Sequence, residues 1–433
     1  MRSGIAARLV LSRAPFVVVR RRRTAALPFA APLASVLAPV LTTVLVAALA
    51  SGCDGCGAAE PDPPPAAAAD PAERPAEHRL ALGRGHTCVI VGEAGRVRCW
   101  GDNRDRQLGL ATPASASGPV DVPVGGVRGL SAASEVTCAV RVDGAVHCWG
   151  LAADGRLGRG PLVGRQAPGR VDGVERAVEV AVGAHHACAR TEEGRVLCWG
   201  RNREGQLGDG TAQARSRAVP VAGIRGASDL AIGRHESCVV EDGRVRCWGR
   251  AAGRILAAGA GSTPRPPPQQ DELTVVDVPG IGDAIAVTLG SGSRLHGCAL
   301  EADGAVACWG ANACGQSRGA TSTGGDAPAA IEGVEDAVAV RAGGRFTCAL
   351  AARGRVLCWG CTPDGERRPA PTGVPGVTAV SIEAGERHAC VITPRGLVQC
   401  WGHDRFGQSR GRPPAREPGD APGGLQTVEG ASG

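Results

Sequence analysis

An all-β chain folded as a closed ring of seven four-stranded blades is what the 433 residues predict, on three observations. Cys-Trp-Gly recurs with its tryptophan at 100, 149, 199, 248, 309, 359 and 401, and these are all 7 tryptophans of the chain. The steps between them are 49, 50, 49, 61, 50 and 42 residues, the period of a supersecondary unit that must stack on copies of itself to bury its apolar faces. Each copy also reads as short β-rich runs punctuated by turn residues, four to a unit, and radial closure of seven such units is the β-propeller, which leaves only short edges. A solenoid is the alternative reading; it needs polar caps, and neither end resembles one.

The chain divides into three parts. Residues 1–52 carry seven arginines and no acid, so without them the formal charge of +6 falls to −1. Arg20 to Arg23 precede an apolar run from Ala25 to Ala50 that Pro28, Pro32 and Pro39 interrupt, the pattern of an export signal rather than a spanning helix. Ala50-Ser51-Gly52-Cys53 resembles a bacterial lipobox, which implies cleavage before Cys53 and a lipid on its sulfur. An ordinary signal with an incidental Cys53 is the other reading. Residues 53–78, rich in Pro, Ala and acids with no periodic apolar face, read as an extended tether. Residues 79–430 hold the repeat.

Within each repeat, a run such as Leu80–Leu82, Leu130–Ala132 or Val178–Val182 supplies the first strand. Val136 to Gly150 then places β-favouring residues on either side of Asp143-Gly144, a hairpin signal, and gives the second and third strands. Val146 and Cys148 share one face while Trp149 points to the other, so the sheet needs cover on both sides. The fourth strand is read from Val120–Val124, Val219–Val221 and Val275–Val278.

Fourteen of the 18 cysteines flank these hairpins in pairs: Cys88 and Cys99, Cys138 and Cys148, Cys188 and Cys198, Cys238 and Cys247, Cys298 and Cys308, Cys348 and Cys358, Cys390 and Cys400. Turn length drifts by a residue while both cysteines persist, as expected of sulfurs that face each other across a hairpin in an oxidising compartment. No pair has zinc-ligand spacing. Cys314 and Cys361, in the same loop of adjacent units, are candidates for a bridge between blades. With Cys53 lipidated, Cys56 is left alone.

The pattern H-x-C-A-L, then D-G-x-V-x-C-W-G-x-N-x-x-G-Q-L-G-D-G, best preserved at Asn202–Gly210, resembles the regulator of chromosome condensation repeat over about residues 79–430. The resemblance implies a seven-bladed propeller. It also implies two functional precedents: nucleotide exchange on a small GTPase with chromatin binding, and, among secreted bacterial relatives, inhibition of β-lactamases through the propeller's loop face. An export signal and a mature charge near −1 speak for the second kind of role and against nucleic acid. The Gly-Gln-Leu-Gly loop is nearly lost after Trp248 and Trp359, which marks those two loops as candidates for something specific.

Chemistry is hard to find. His86, His186, His296 and His388 stand two residues before the first cysteine, where other units carry Val136, Glu236 and Phe346; one per blade, they lie too far apart to share a metal, and read as strand-end packing or hydrogen-bonding groups. Arg84, Arg234, Arg294, Arg345 and Arg387 just before that slot are candidates for a positive collar at the channel mouth, a binding rim for an anion or glycan, against a plain solvated rim. There is no Lys or Tyr, no phosphate loop, no G-x-S-x-G and no H-E-x-x-H. All seven tryptophans hold the structural slot, so photoreception is unsupported. The insertion Gly253–Glu272 is either a binding loop or a tolerated one. The expectation is a non-enzymatic, cofactor-free module with a protein partner, lipid-anchored in a bacterial cell envelope; the alternative is a glycan-binding or carbohydrate-active propeller.

Overall fold

The computed structural model describes residues 79–250, 273–292, 296–318, 325–410 and 423–432. They form seven four-stranded antiparallel sheets, each built from four strands consecutive in sequence. Blade 1 comprises β1 (Leu80–Leu82), β2 (His86–Val91), β3 (Arg96–Asp102) and β4 (Ser115–Asp121), and blades 2 to 7 repeat this meander over 127–170, 177–220, 227–277, 284–330, 337–378 and 381–428. No strand is shared between the chain ends, so the ring is closed by side chains of blade 7 against blade 1 rather than by a completed sheet. The fourth strands begin earlier than their apolar runs suggest, at Ser115 and Arg215 for instance. These outer strands face solvent, so hydrophobicity does not mark where they start.

Seven apolar clusters fill the seven interfaces, and each contains the cysteine pair of one blade and the tryptophan of the next. Cys88 and Cys99 pack with Trp149, Cys138 and Cys148 with Trp199, and so round to Cys390 and Cys400 with Trp100. Strand alternation is the cause: Cys and Trp are sequence neighbours and therefore point to opposite faces, one toward each adjoining blade. The tryptophans are 0–2% exposed. Their indoles bury the largest apolar area available per residue, and truncating one costs about 3–5 kcal/mol.

The cysteines of each pair sit directly opposite in register, with Cα atoms 4.0–4.1 Å apart and the sulfurs bonded. An eighth disulfide, Cys314–Cys361, joins blades 5 and 6. The glycine of each Cys-Trp-Gly has φ between 80° and 112°. At Gly150 an added Cβ would lie 2.2 Å from the Glu135 carbonyl, so the motif needs glycine for both conformation and space.

The N-x-x-x-Q loop also has a structural duty. Asn103 Oδ1 accepts the Leu108 amide (3.0 Å) and Gln107 Oε1 accepts the Asp105 amide (2.8 Å), folding the loop so that the Gln107 carbonyl points at blade 2. There Trp149 Nε1 and Thr137 Oγ1 both donate to it, each at 2.9 Å. Gln206, Gln316 and Gln408 serve blades 4, 6 and 1 in the same way. Where the loop sequence is lost, the next indole is left over: Trp309 and Trp401 Nε1 find no acceptor among the described residues.

Candidate functional site

Antiparallel meanders place the first-to-second and third-to-fourth turns of every blade at one end of the ring, and the second-to-third hairpins at the other. The histidine slots and, among the described residues, the arginines flagged by sequence belong to the first end.

The four slot histidines are buried, each at 0% exposure. Each Nε2 meets the hydroxyl that precedes the first cysteine of the following blade: His86 with Thr137 (2.8 Å), His186 with Ser237 (2.8 Å), His296 with Thr347 (3.1 Å) and His388 with Thr87 (2.8 Å). The hydroxyl's own proton goes to the glutamine carbonyl, so the imidazole must donate through Nε2–H. Nδ1 then carries the lone pair and has no partner in any of the four. A second proton would be buried without an acceptor. Burial accordingly lowers His86 and His296 to about 4, and His186 and His388 to about 3.

This pairing is written in the repeats themselves. Blades with Val136, Glu236 or Phe346 in the histidine slot are followed by blades with Ala187, Gly297 or Ala389, none of which has a hydroxyl. Thr137→Val should leave the His86 Nε2–H buried and unpaired and cost about 1–3 kcal/mol, read as a lower urea midpoint at unchanged m-value. These histidines are structural, and no group of three His, Cys, Asp or Glu among the described residues is placed to hold a metal.

The arginines flagged by sequence are not equivalent. Arg84 and Arg234 stand two residues before the slot, Arg345 and Arg387 one, and Arg294 lies outside the described residues, as do Cys53, the tether and the insertion. Arg84 lies 4.0 Å from Glu135 and 3.9 Å from Glu386. Arg345 and Arg387, both exposed, line a cleft of about 370 Å³ with Thr362, Pro363 and Glu386, walled on one side by the Cys361 bridge. The loop after Trp359, which departs from the repeat, builds that wall. Along the axis the cavity is small, about 130 Å³, and its charged groups are engaged: Glu179 with Arg190 (2.7 Å), Glu383 with Arg341 (3.2 Å), and Asp229 with the Val287 amide (2.7 Å).

Sequence reasoning passed over a second cluster on this end. The His185 and His235 rings stack with centroids 5.3 Å apart. Arg201 and Arg250, which follow Trp-Gly in blades 3 and 4, donate their amides to the carbonyls of these histidines at 3.0 Å. Aligning repeats 3 and 4 reveals the shared residues, a His before the slot and C-W-G-R after it.

Such a ring, with its repeated polar atoms engaged between blades and its variable residues gathered at one end, is a repeat propeller of the protein-interaction scaffold class. The chain belongs to the family of the regulator of chromosome condensation (RCC1) repeat, which matches at 78–107, 143–190, 177–206, 193–240, 287–316, 337–366 and 379–408, together about half of the chain. It is 35% identical over 113 residues to the ultraviolet-B receptor UVR8 of Arabidopsis thaliana, a stretch that spans 25% of this chain and 26% of the receptor. Among solved structures it is similar to yeast RCC1 (Prp20) bound to Kap60, with TM-score 0.66, 17% identity, and coverage of 86% of this chain and 90% of that one. Human WBSCR16 gives TM-score 0.61 at 21% identity, with coverage of 72% and 85%. At these identities the likeness to the structures is one of fold.

Proposed function

We propose that this protein is an exported, lipid-anchored, non-enzymatic propeller that presents its loop end to a protein partner in the cell envelope. The observation that supports it most is the division of labour among polar groups. Histidine slots, hydroxyls, glutamine carbonyls and five of the seven indoles are tied up between blades, which leaves recognition to loop-end side chains that differ from blade to blade. Structures of yeast Prp20 bound to Kap60, and of Prp20 with its binding to Gsp1p and histones, are precedents for protein capture by propellers of this family. Exchange-factor activity on a GTPase is disfavoured by the export reading.

The cleft beside Arg345 and Arg387 favours a second reading, a glycan or other anionic ligand. Against it, small-molecule sites usually expose aromatic side chains, and all seven tryptophans are buried. Crosslinking followed by pull-down from membranes, set against a glycan array, separates the two. A defined protein supports the proposal; a defined sugar, lost on charge reversal at Arg345 and Arg387, replaces it.

Eight disulfides fit an oxidising compartment. No helix among the described residues is long and apolar enough to cross a membrane. Attachment through Cys53 predicts that unreduced mature protein begins at residue 53 with acyl mass on it; a mature start elsewhere, or an unmodified Cys53, removes the anchor.

A further inference from the structure

The loop end of blades 3 and 4 holds cationic and imidazole groups that the fold itself does not use. His185 and His235 are half-buried and stacked, and their Nδ1 atoms are shielded from solvent without a hydrogen-bond partner. Arg201 Nε is shielded and unpartnered in the same way. Arg156, Arg201, Arg234 and Arg250 surround the pair closely enough to act on its charge. Glu135 and Asp154 engage Arg156, at 3.7 and 4.0 Å. The Glu236 carboxylate accepts the Arg234 and His235 amides, at 3.1 and 3.2 Å. Arg201, Arg234 and Arg250 have no carboxylate among the described residues.

Resting on the protein-binding reading above, we propose that this patch is the docking point for an acidic segment of the partner, whose carboxylates bind Arg201, Arg234 and Arg250 and draw protons onto His185 and His235. Two adjacent blades contribute the cations, which suits several carboxylates spaced along a chain better than one compact anion. Burial first, and then the neighbouring arginines, hold both histidines at about 4, so the free site is neutral at the rings. A carboxylate seated there opposes both causes by supplying the missing counter-charge. The bound histidines therefore titrate higher than the free ones, binding takes up protons, and affinity rises as pH falls. If the bound rings return to an ordinary value near 6.5, each adds about tenfold in affinity between about pH 7.5 and 5.5.

The test uses the full chain and a fluorescein-labelled hexaglutamate peptide, with hexaglutamine and inorganic phosphate as the other arms. Hexaglutamate should bind, more tightly by tenfold or more at the lower pH, and competition by phosphate at matched ionic strength should be weak. Arg201→Gln with Arg234→Gln should weaken binding more than tenfold. His185→Gln with His235→Gln should leave binding at the higher pH and abolish its rise; Arg195→Gln with Arg244→Gln, on the opposite hairpins, should change it less than twofold. Should a variant fail to fold, the imidazole resonances of the native chain serve instead: between about pH 7.5 and 5.5 they should stay those of neutral rings without peptide and titrate when peptide is added. Hexaglutamate bound no better than hexaglutamine, phosphate bound in its place, or an affinity flat with pH overturns the proposal. A protein partner captured from membranes whose binding ignores these arginines would refute this site and leave the protein-binding reading intact.

Discussion

Reduced with dithiothreitol, the propeller is expected to unfold cooperatively at about 25 °C, while the oxidised chain stays folded. Each intrablade bridge closes a loop of 9 to 11 residues. Chain entropy assigns about 2.7 kcal/mol to such a loop and about 4 kcal/mol to the longer Cys314–Cys361 loop. Even half of those values, summed over the ring, comes to about 11 kcal/mol, comparable with the roughly 5–15 kcal/mol that separates a native domain from its unfolded state. The loss is compounded by packing, because every intrablade sulfur pair lies against the next blade's tryptophan. Reduction should be slow, since these cysteines are 0% exposed and the reductant must wait for local opening. Tryptophan fluorescence and far-ultraviolet circular dichroism should change together. A reduced chain with unchanged tryptophan emission would mean that the bridges add little to the packing.

Acid is expected to act through a different set of residues. His86, His186, His296 and His388 are held at about 3 to 4 in the fold, against about 6.5 in an unfolded chain. Between these values the unfolded state binds more protons than the native one, so stability is fully present above about pH 6.5 and is lost as pH falls toward 4. At about pH 4.5 each histidine accounts for about 2–3 kcal/mol, so the four together are comparable with the roughly 5–15 kcal/mol that holds a native domain folded. Urea midpoints measured from about pH 7 to 4.5 should fall steeply. The protein's own sequence supplies the control, since blade 6 puts Phe346 in the slot and Ala389 opposite it. His186→Phe with Ser237→Ala copies that pair and should remove about a sixth of the slope, because His185 and His235 are also held at about 4. An unchanged slope would assign the acid sensitivity to other groups.

The ring was legible because its signals are short-range. Cys, Trp and Gly sit within a few residues of one another, and strand alternation converts that spacing into two faces. Blade count and cysteine pairing follow. The histidine relay was also legible, in the match between slot and hydroxyl one repeat later, yet a single blade taken alone hides it: Thr137 explains His86 only once blade 2 is known to lie beside blade 1. The arginine collar is a harder case. Sequence merges Arg84 and Arg234 with Arg345 and Arg387, which occupy different turn positions. Their states depend on partners such as Glu386, which lies 302 residues from Arg84 in sequence. The His185–His235 stack depends on the angle between blades, which no linear pattern records.

The most direct test of the functional reading is photo-crosslinking in native membranes, with benzoylphenylalanine placed at residue 184 or 203, beside the docking arginines on the loop end, and at 195 or 244 on the opposite hairpins. The account predicts one protein adduct shared by the two loop-end positions, suppressed by hexaglutamate and missing from the hairpin positions. Adducts from both ends alike, or none at the loop end while a glycan array identifies a sugar, would contradict it.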